Sequence, residues 1–174
     1  LTVQRAFYPE GPTCHSYILH PPGGIAGGDS LQVNVDAQPH AHCLLTTPGA
    51  TKFYSASGQR FATVMQTIRV ADAAVVEWLP QPNIFFPGAS CALDTSIEIA
   101  PHAKFLGWEI NCLGRPANDE QFTSGSLRSR TRVSIAGELR LAEQLRIDGP
   151  DALHAASGLR GFPLQASLIA APAP

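Results

Sequence analysis

The chain has 174 residues, enough for one ordinary domain but not two, and with 44% apolar residues and a mean hydropathy of +0.01 it reads as neither disordered nor membrane-spanning. Its formal charge is -2, from 12 basic and 14 acidic side chains, which argues against a nucleic-acid binder. Only 15% of residues are charged, against roughly 25% in ordinary domains, which points to partners or to an interior with two sides.

Taken in chain order, short runs of strand type lie at 2–8, 13–20, 30–37, 41–46, 61–70, 74–79, 92–99, 103–112, 127–135, 139–148 and 164–170. The 15 Gly and 15 Pro are scattered between them as punctuation. Ala136-Gly137-Glu138 reads as a hairpin turn, and Ala71-Asp72-Ala73 and Pro101-His102 as similar short connections. Pro21–Ser30 and Leu113–Gly125 are longer turn-rich segments. Only Asp151–Ser157, with Gly158 as its stop, suggests a helical turn or two. Strands without intervening helices predict a mostly β domain, antiparallel or β-helix-like, in place of a βαβ fold. No repeat of fixed period is visible. Alternation places Leu19, Val33, Leu45, Val75, Trp108, Leu141 and Leu145 in the core. The opening residues lack a Met and the regions of a signal peptide, so the chain reads as entering partway along a strand, and 3–8 and 164–170 are expected at unpaired edges.

Chemical motifs are sparse. There is no GxSxG, HExxH or kinase set. Cys14, Cys43, Cys91 and Cys112 form no CxxC pair and read as free thiols of a reducing compartment. Cys14 and His15 are adjacent, so on a strand they face opposite ways and make no dyad. The Gly23–Gly28 run lacks the Lys-Ser/Thr of a phosphate loop and reads as a wide turn needing positive φ. His40 and His42 stand two apart and would share a strand face, as a metal pair requires. Two surface imidazoles beside Pro39 is the plainer reading, because no third ligand is evident nearby.

Carboxylates on apolar faces are more informative. One face of 139–147 reads Leu139, Leu141, Glu143, Leu145, Ile147. A second strand alternates Leu106, Trp108, Ile110, Cys112 with Phe105, Gly107, Glu109, Asn111, Leu113. Glu77 accompanies Val75 and Leu79. Three inward-tending carboxylates suit either a polar channel for a cation or structural ion pairs with arginine. Arg128, Arg130 and Arg132 alternate along one face, which is a solvated face or a docking surface for an acidic partner.

Several long blocks carry a resemblance: VQRAFYPEGPTCHSYILHPPGGIAGGDSL at 3–31, LLTTPGATKFYSASG at 44–58, EWLPQPNIFFPGA at 77–89, FLGWEINCLGRPA at 105–117, then GSLRSRTRV and LAEQLRIDG. In these the chain resembles the urease accessory proteins called UreD, or UreH in some organisms. The resemblance implies one β-helix-like domain over 1–174, the central portion of a longer protein with further strands before it and a helical tail after it. It implies a cytoplasmic, non-enzymatic maturation scaffold that binds urease apoprotein and the F-type and G-type accessory proteins, the latter a GTPase. It implies no tightly bound cofactor, nickel in transit through a hydrated interior, and neither nucleic acid nor membrane as partner. The acidic route residues of the family match Asp29, Glu109 and Glu143. Two other readings stand beside it: a metal-dependent enzyme using His40 and His42, and a carbohydrate-binding sandwich, for which 7% aromatics offers little platform.

Overall fold

The computed structural model describes residues 1–55 and 60–172. Strands make up 58% of the described residues, arranged as a β-solenoid. After the short edge strand β1 (Thr2–Val3), three coils each place two strands in one sheet and one in the other. The first is β2 (Cys14–Leu19), β3 (Ile25–Ala26) and β4 (Ser30–Ala37). The second is β5 (His42–Thr46), β6 (Thr51–Tyr54) and β7 (Ala62–Val70). The third is β8 (Val75–Trp78), β9 (Asn83–Phe85) and β10 (Ser90–Ile99). In the fourth, β11 (Lys104–Arg115) spans in one run the positions of β8 and β9; β12 (Glu120–Gln121) and β13 (Ser126–Ile135) follow.

Corresponding strands of successive coils pair in parallel. The stack ends in two antiparallel additions. β14 (Glu138–Asp148) folds back on β13, and after α1 (Gly149–His154), β15 (Leu164–Ala171) pairs with β11. The Ala136-Gly137 turn has φ of 52° and 80°, the doubly left-handed geometry that matches strand twist in a two-residue hairpin.

One corner is tight because its residues are small. Ala37, Ala74 and Ala103 are buried there, and backbone bonds such as Ala71 N–H to Ala37 C=O join successive turns. The opposite corner holds the short strands β3, β6 and β9, which local pattern does not reveal. They are two to four residues long and are flanked by Gly24, Pro48-Gly49 and Pro80 or Pro82. Gly23 and Gly28 do have positive φ, at 79° and 98°. Gly24 is demanded by packing, since a Cβ there would meet the Tyr54 ring at 2.2 Å.

Several expectations change. The repeat is geometric without a fixed period: β2, β5, β8 and β11 begin at 14, 42, 75 and 104. Within 2–8, only 2–3 is strand, with Phe7 bridged to His15, and the turn-rich segment from 113 begins with strand to Arg115. None of the seven residues placed in the core by alternation is fully buried: Leu141 is exposed, and Leu19, Val33, Leu45, Val75, Trp108 and Leu145 are half-buried. On β11 the mixed face, Phe105 to Leu113, is the one turned inward. The expected edges are present, β1 pairing only with β2 and β15 only with β11 among the described residues.

Candidate functional site

Buried apolar residues form two clusters, one around Ile68, Ile97, Val133 and Phe105, the other around Val64, Leu93, Leu127 and Leu113. Between them the inner faces of β7, β10 and β13 carry polar residues, whereas that of β4 (Leu31, Val33, Val35, Ala37) is wholly apolar. The sequence reads Val64-x-Gln66-x-Ile68 on β7, Leu93-x-Thr95-x-Ile97 on β10 and Leu127-x-Ser129-x-Thr131-x-Val133 on β13. Register then aligns Gln66 with Thr95, Thr95 with Thr131 and Thr131 with Glu143. The facing sheet supplies Glu109 beside Ser167 and Asn111 between Asn83 and Gln165. Because same-register positions stack along the solenoid axis, single polar residues become a continuous axial seam inside the protein.

On the side of β11 and β15 the seam is joined by hydrogen bonds from Asn83 to Glu143. Asn83 Nδ2 donates to Asn111 Oδ1 at 3.0 Å. Asn111, fully buried, donates through Nδ2 to Glu109 Oε1 at 2.8 Å and to Gln165 Oε1 at 3.0 Å. Gln165 Nε2 donates to Ser167 Oγ at 2.9 Å, and Ser167 donates to Glu143 Oε2 at 2.9 Å. Ser129 Oγ also donates to Glu109 Oε1, at 2.7 Å. Glu109 and Glu143, which sequence reasoning singled out separately, are thus joined through Asn111, Gln165 and Ser167.

A cavity of about 240 Å³ lies along the seam; its wall is mostly apolar, from residues such as Val33, Phe53, Trp78 and Ile97, with Gln66, Asn83, Thr95, Glu109, Thr131 and Ser167 as a polar stripe. Thr95 Oγ1 faces it, buried and without a protein partner among the described residues. A hydroxyl so placed is satisfied by water or by a hydrated ion. No arginine pairs with Glu109 or Glu143 among the described residues, so neither carboxylate is an ion-pair member.

Glu143 departs from its expected surroundings. It is exposed, as are Leu139 and Leu141 beside it, because the apolar layer opens beyond Leu145. Asp29 is not brought to the seam. It sits exposed at a coil corner, where its Oδ2 accepts the Ala26 N–H at 2.8 Å, and it does not line the cavity. Glu77 turns outward, and its Oε1 lies 2.8 Å from His42 Nε2. His40 stands in a turn with φ of 62°, so it does not share a strand face with His42, whose Nδ1 meets Thr13 Oγ1 at 3.2 Å. Among the described residues no group of three His, Cys, Asp or Glu side chains could hold a metal ion.

The thiols are free, and Cys14 lies beside Cys43 in register. Burial pushes Cys43 up to about 11 and Cys91 up to about 12, so neither is a thiolate at neutral pH. Gln66, Thr95, Thr131 and Gln165 escaped sequence reasoning. A single polar residue interrupting an alternating apolar face at matching places in successive strands is the signal that would have found them. No helix among the described residues is long and apolar enough to cross a membrane.

Comparison with known proteins agrees with the resemblance. The family described as UreD urease accessory protein matches residues 1–174. A urease accessory protein UreD of Alcanivorax borkumensis is 54% identical, the match covering 98% of this chain and 58% of the relative. The UreD protein of Escherichia coli is 52% identical, over 99% of this chain and 61% of its own length. That of Aliivibrio fischeri strain ES114 is 47% identical, over 99% and 60%. The chain therefore spans about three fifths of the length of the curated relatives it matches. With a family match over its whole length and relatives at about half identity, the chain belongs to the UreD urease accessory protein family.

Proposed function

We propose that this chain is the solenoid body of a non-enzymatic, cytoplasmic urease maturation factor, and that its axial seam passes nickel ions toward urease apoprotein. The observation that carries the reading is the hydrogen-bonded line from Glu109 to Glu143, which borders a largely apolar cavity at Glu109 and Ser167. Nickel accepts oxygen and nitrogen ligands. A route must hold its ion weakly and at several places so that it can leave. Isolated carboxylates, amides and hydroxyls do this, whereas a full ligand cage would trap the ion. Thr131, Thr95 and Gln66 offer further neutral oxygens along the cavity, in successive strands leading away from Glu143. Nickel is cargo here, and no cofactor is required. Urease apoprotein and the F-type and G-type accessory proteins are the partners in this reading. Asp29 lies off the line and would act, if at all, at the coil corner.

The test is co-expression of urease with its accessory proteins and the Glu109→Gln/Glu143→Gln variant. Urease should co-purify normally while its nickel content falls several-fold. Full nickel loading with a folded double variant would overturn the route. Stoichiometric, tight metal binding with substrate turnover by the isolated chain would instead favour the His40/His42 enzyme reading.

A further inference from the structure

The outer face of the five-stranded sheet is uneven in charge. Arg128, Arg130 and Arg132 project from β13, and Arg140 and Arg146 from β14. These five hold a large share of the 12 basic residues of a chain whose net charge is -2, and none is a lysine. Three carboxylates answer them. Asp94 is shared by Arg130 and Arg132, Arg140 pairs with Glu138 at 2.7 Å, and Arg146 pairs with Asp148 at 2.6 Å. Arg128 lies over the Phe61 ring at 4.6 Å. Register sets Arg128 directly opposite Arg146, a like-charge pair that costs sheet stability. On the other half of the face Arg69 is balanced by Asp36 and Glu98.

Edge protection is ordinarily the work of lysine. Interfaces favour arginine and are poor in lysine. A guanidinium presents a planar fork that fits a carboxylate with two hydrogen bonds, and Asp94 already draws two of these arginines. Alternate residues of a strand stand about 6.8 Å apart, so the β13 arginines repeat at the spacing of alternate residues in an extended segment. The acidic whole-chain balance, with a pI of about 6.3, disfavours nucleic acid.

We propose that the β13–β14 arginine strip is a docking surface for an extended acidic segment of a partner protein, one bearing carboxylates at alternate positions. This inference is independent of the nickel route, since these side chains point away from the seam.

The test uses the 174-residue chain and a fluorescein-labelled peptide of alternating Glu and Ser, read by fluorescence anisotropy. Binding should weaken on going from about 0.02 M to about 0.15 M salt, as exposed charges are screened. Arg128→Gln/Arg130→Gln/Arg132→Gln should weaken it roughly tenfold, and Arg5→Gln/Lys104→Gln by less than about twofold. Asp94→Asn frees two guanidiniums and should tighten binding about threefold, a gain that misfolding cannot mimic. Failure of Asp94→Asn to tighten binding, an equal loss in the Arg5/Lys104 variant, or equally tight binding of a single-stranded DNA of matched charge would each overturn the proposal.

Discussion

β13 and β14 run side by side, each with a mainly apolar row alternating with a row that bears arginines, and end in opposite circumstances. On β13 the inner residues Leu127, Ser129, Thr131 and Val133 are all buried. On β14 every residue from Glu138 to Gln144 is exposed, and only Ile147, near α1, is buried. The difference is not in either strand. β13 lies between β10 and β14 in its sheet, whereas β14 is an edge strand. Alternation tells which side chains share a face; a neighbour and a facing layer decide whether that face is dry. Glu143 stands where the two conditions meet, in register with buried Thr131 and within reach of the seam, yet open to solvent. A carboxylate at such a place is hydrated, so its position carries little desolvation cost.

The comparison breaks most plainly at matched leucines. Leu127→Ala should lower unfolding free energy by about 2–5 kcal/mol, because a fully buried side chain leaves a cavity. Leu141→Ala, at a residue 39% exposed, should cost less than about 1 kcal/mol. Urea denaturation of the two variants measures this, and equal losses would mean that β14 is covered in solution.

Smaller effects are expected at the two carboxylates. Glu109→Ala leaves Ser129 and buried Asn111 short of an acceptor and should cost about 1–3 kcal/mol. Glu143→Ala removes one exposed bond from Ser167 and should cost no more than about 0.5 kcal/mol. A large loss at Glu143 would place it in a dry layer after all. Smallest is a chemical contrast that leaves stability untouched. At pH 8 Cys43 and Cys91, whose thiols burial holds up to about 11 and about 12, stay almost wholly protonated. Their thiolate fraction rises only toward those values, so timed iodoacetamide labelling read by mass spectrometry should modify them after Cys14. Early modification of Cys91 would show that the inner face of β10 opens readily.

Period-two alternation and turn chemistry are local, and they were legible. They disclosed the β class, the long strands, the Ala136-Gly137 hairpin, the opposed faces of Cys14 and His15, and the inner row that holds both Leu145 and Glu143. The short strands β3, β6 and β9 were not legible, because two to four residues cannot display a period. Nor were the partners. Strand pairing and the facing layers put Glu77 beside His42, left Asp29 at a corner, and have the mixed face of β11 inward. The seam itself is wholly tertiary. Gln66, Thr95 and Glu143 are each one polar residue in an apolar row, and Thr131 is one of two beside Ser129, unremarkable alone. Gln66, Thr95 and Thr131 form a line only because parallel register stacks equivalent positions of successive coils, through contacts between residues roughly thirty apart and beyond the reach of any local pattern, and the antiparallel β13–β14 hairpin adds Glu143 to its end.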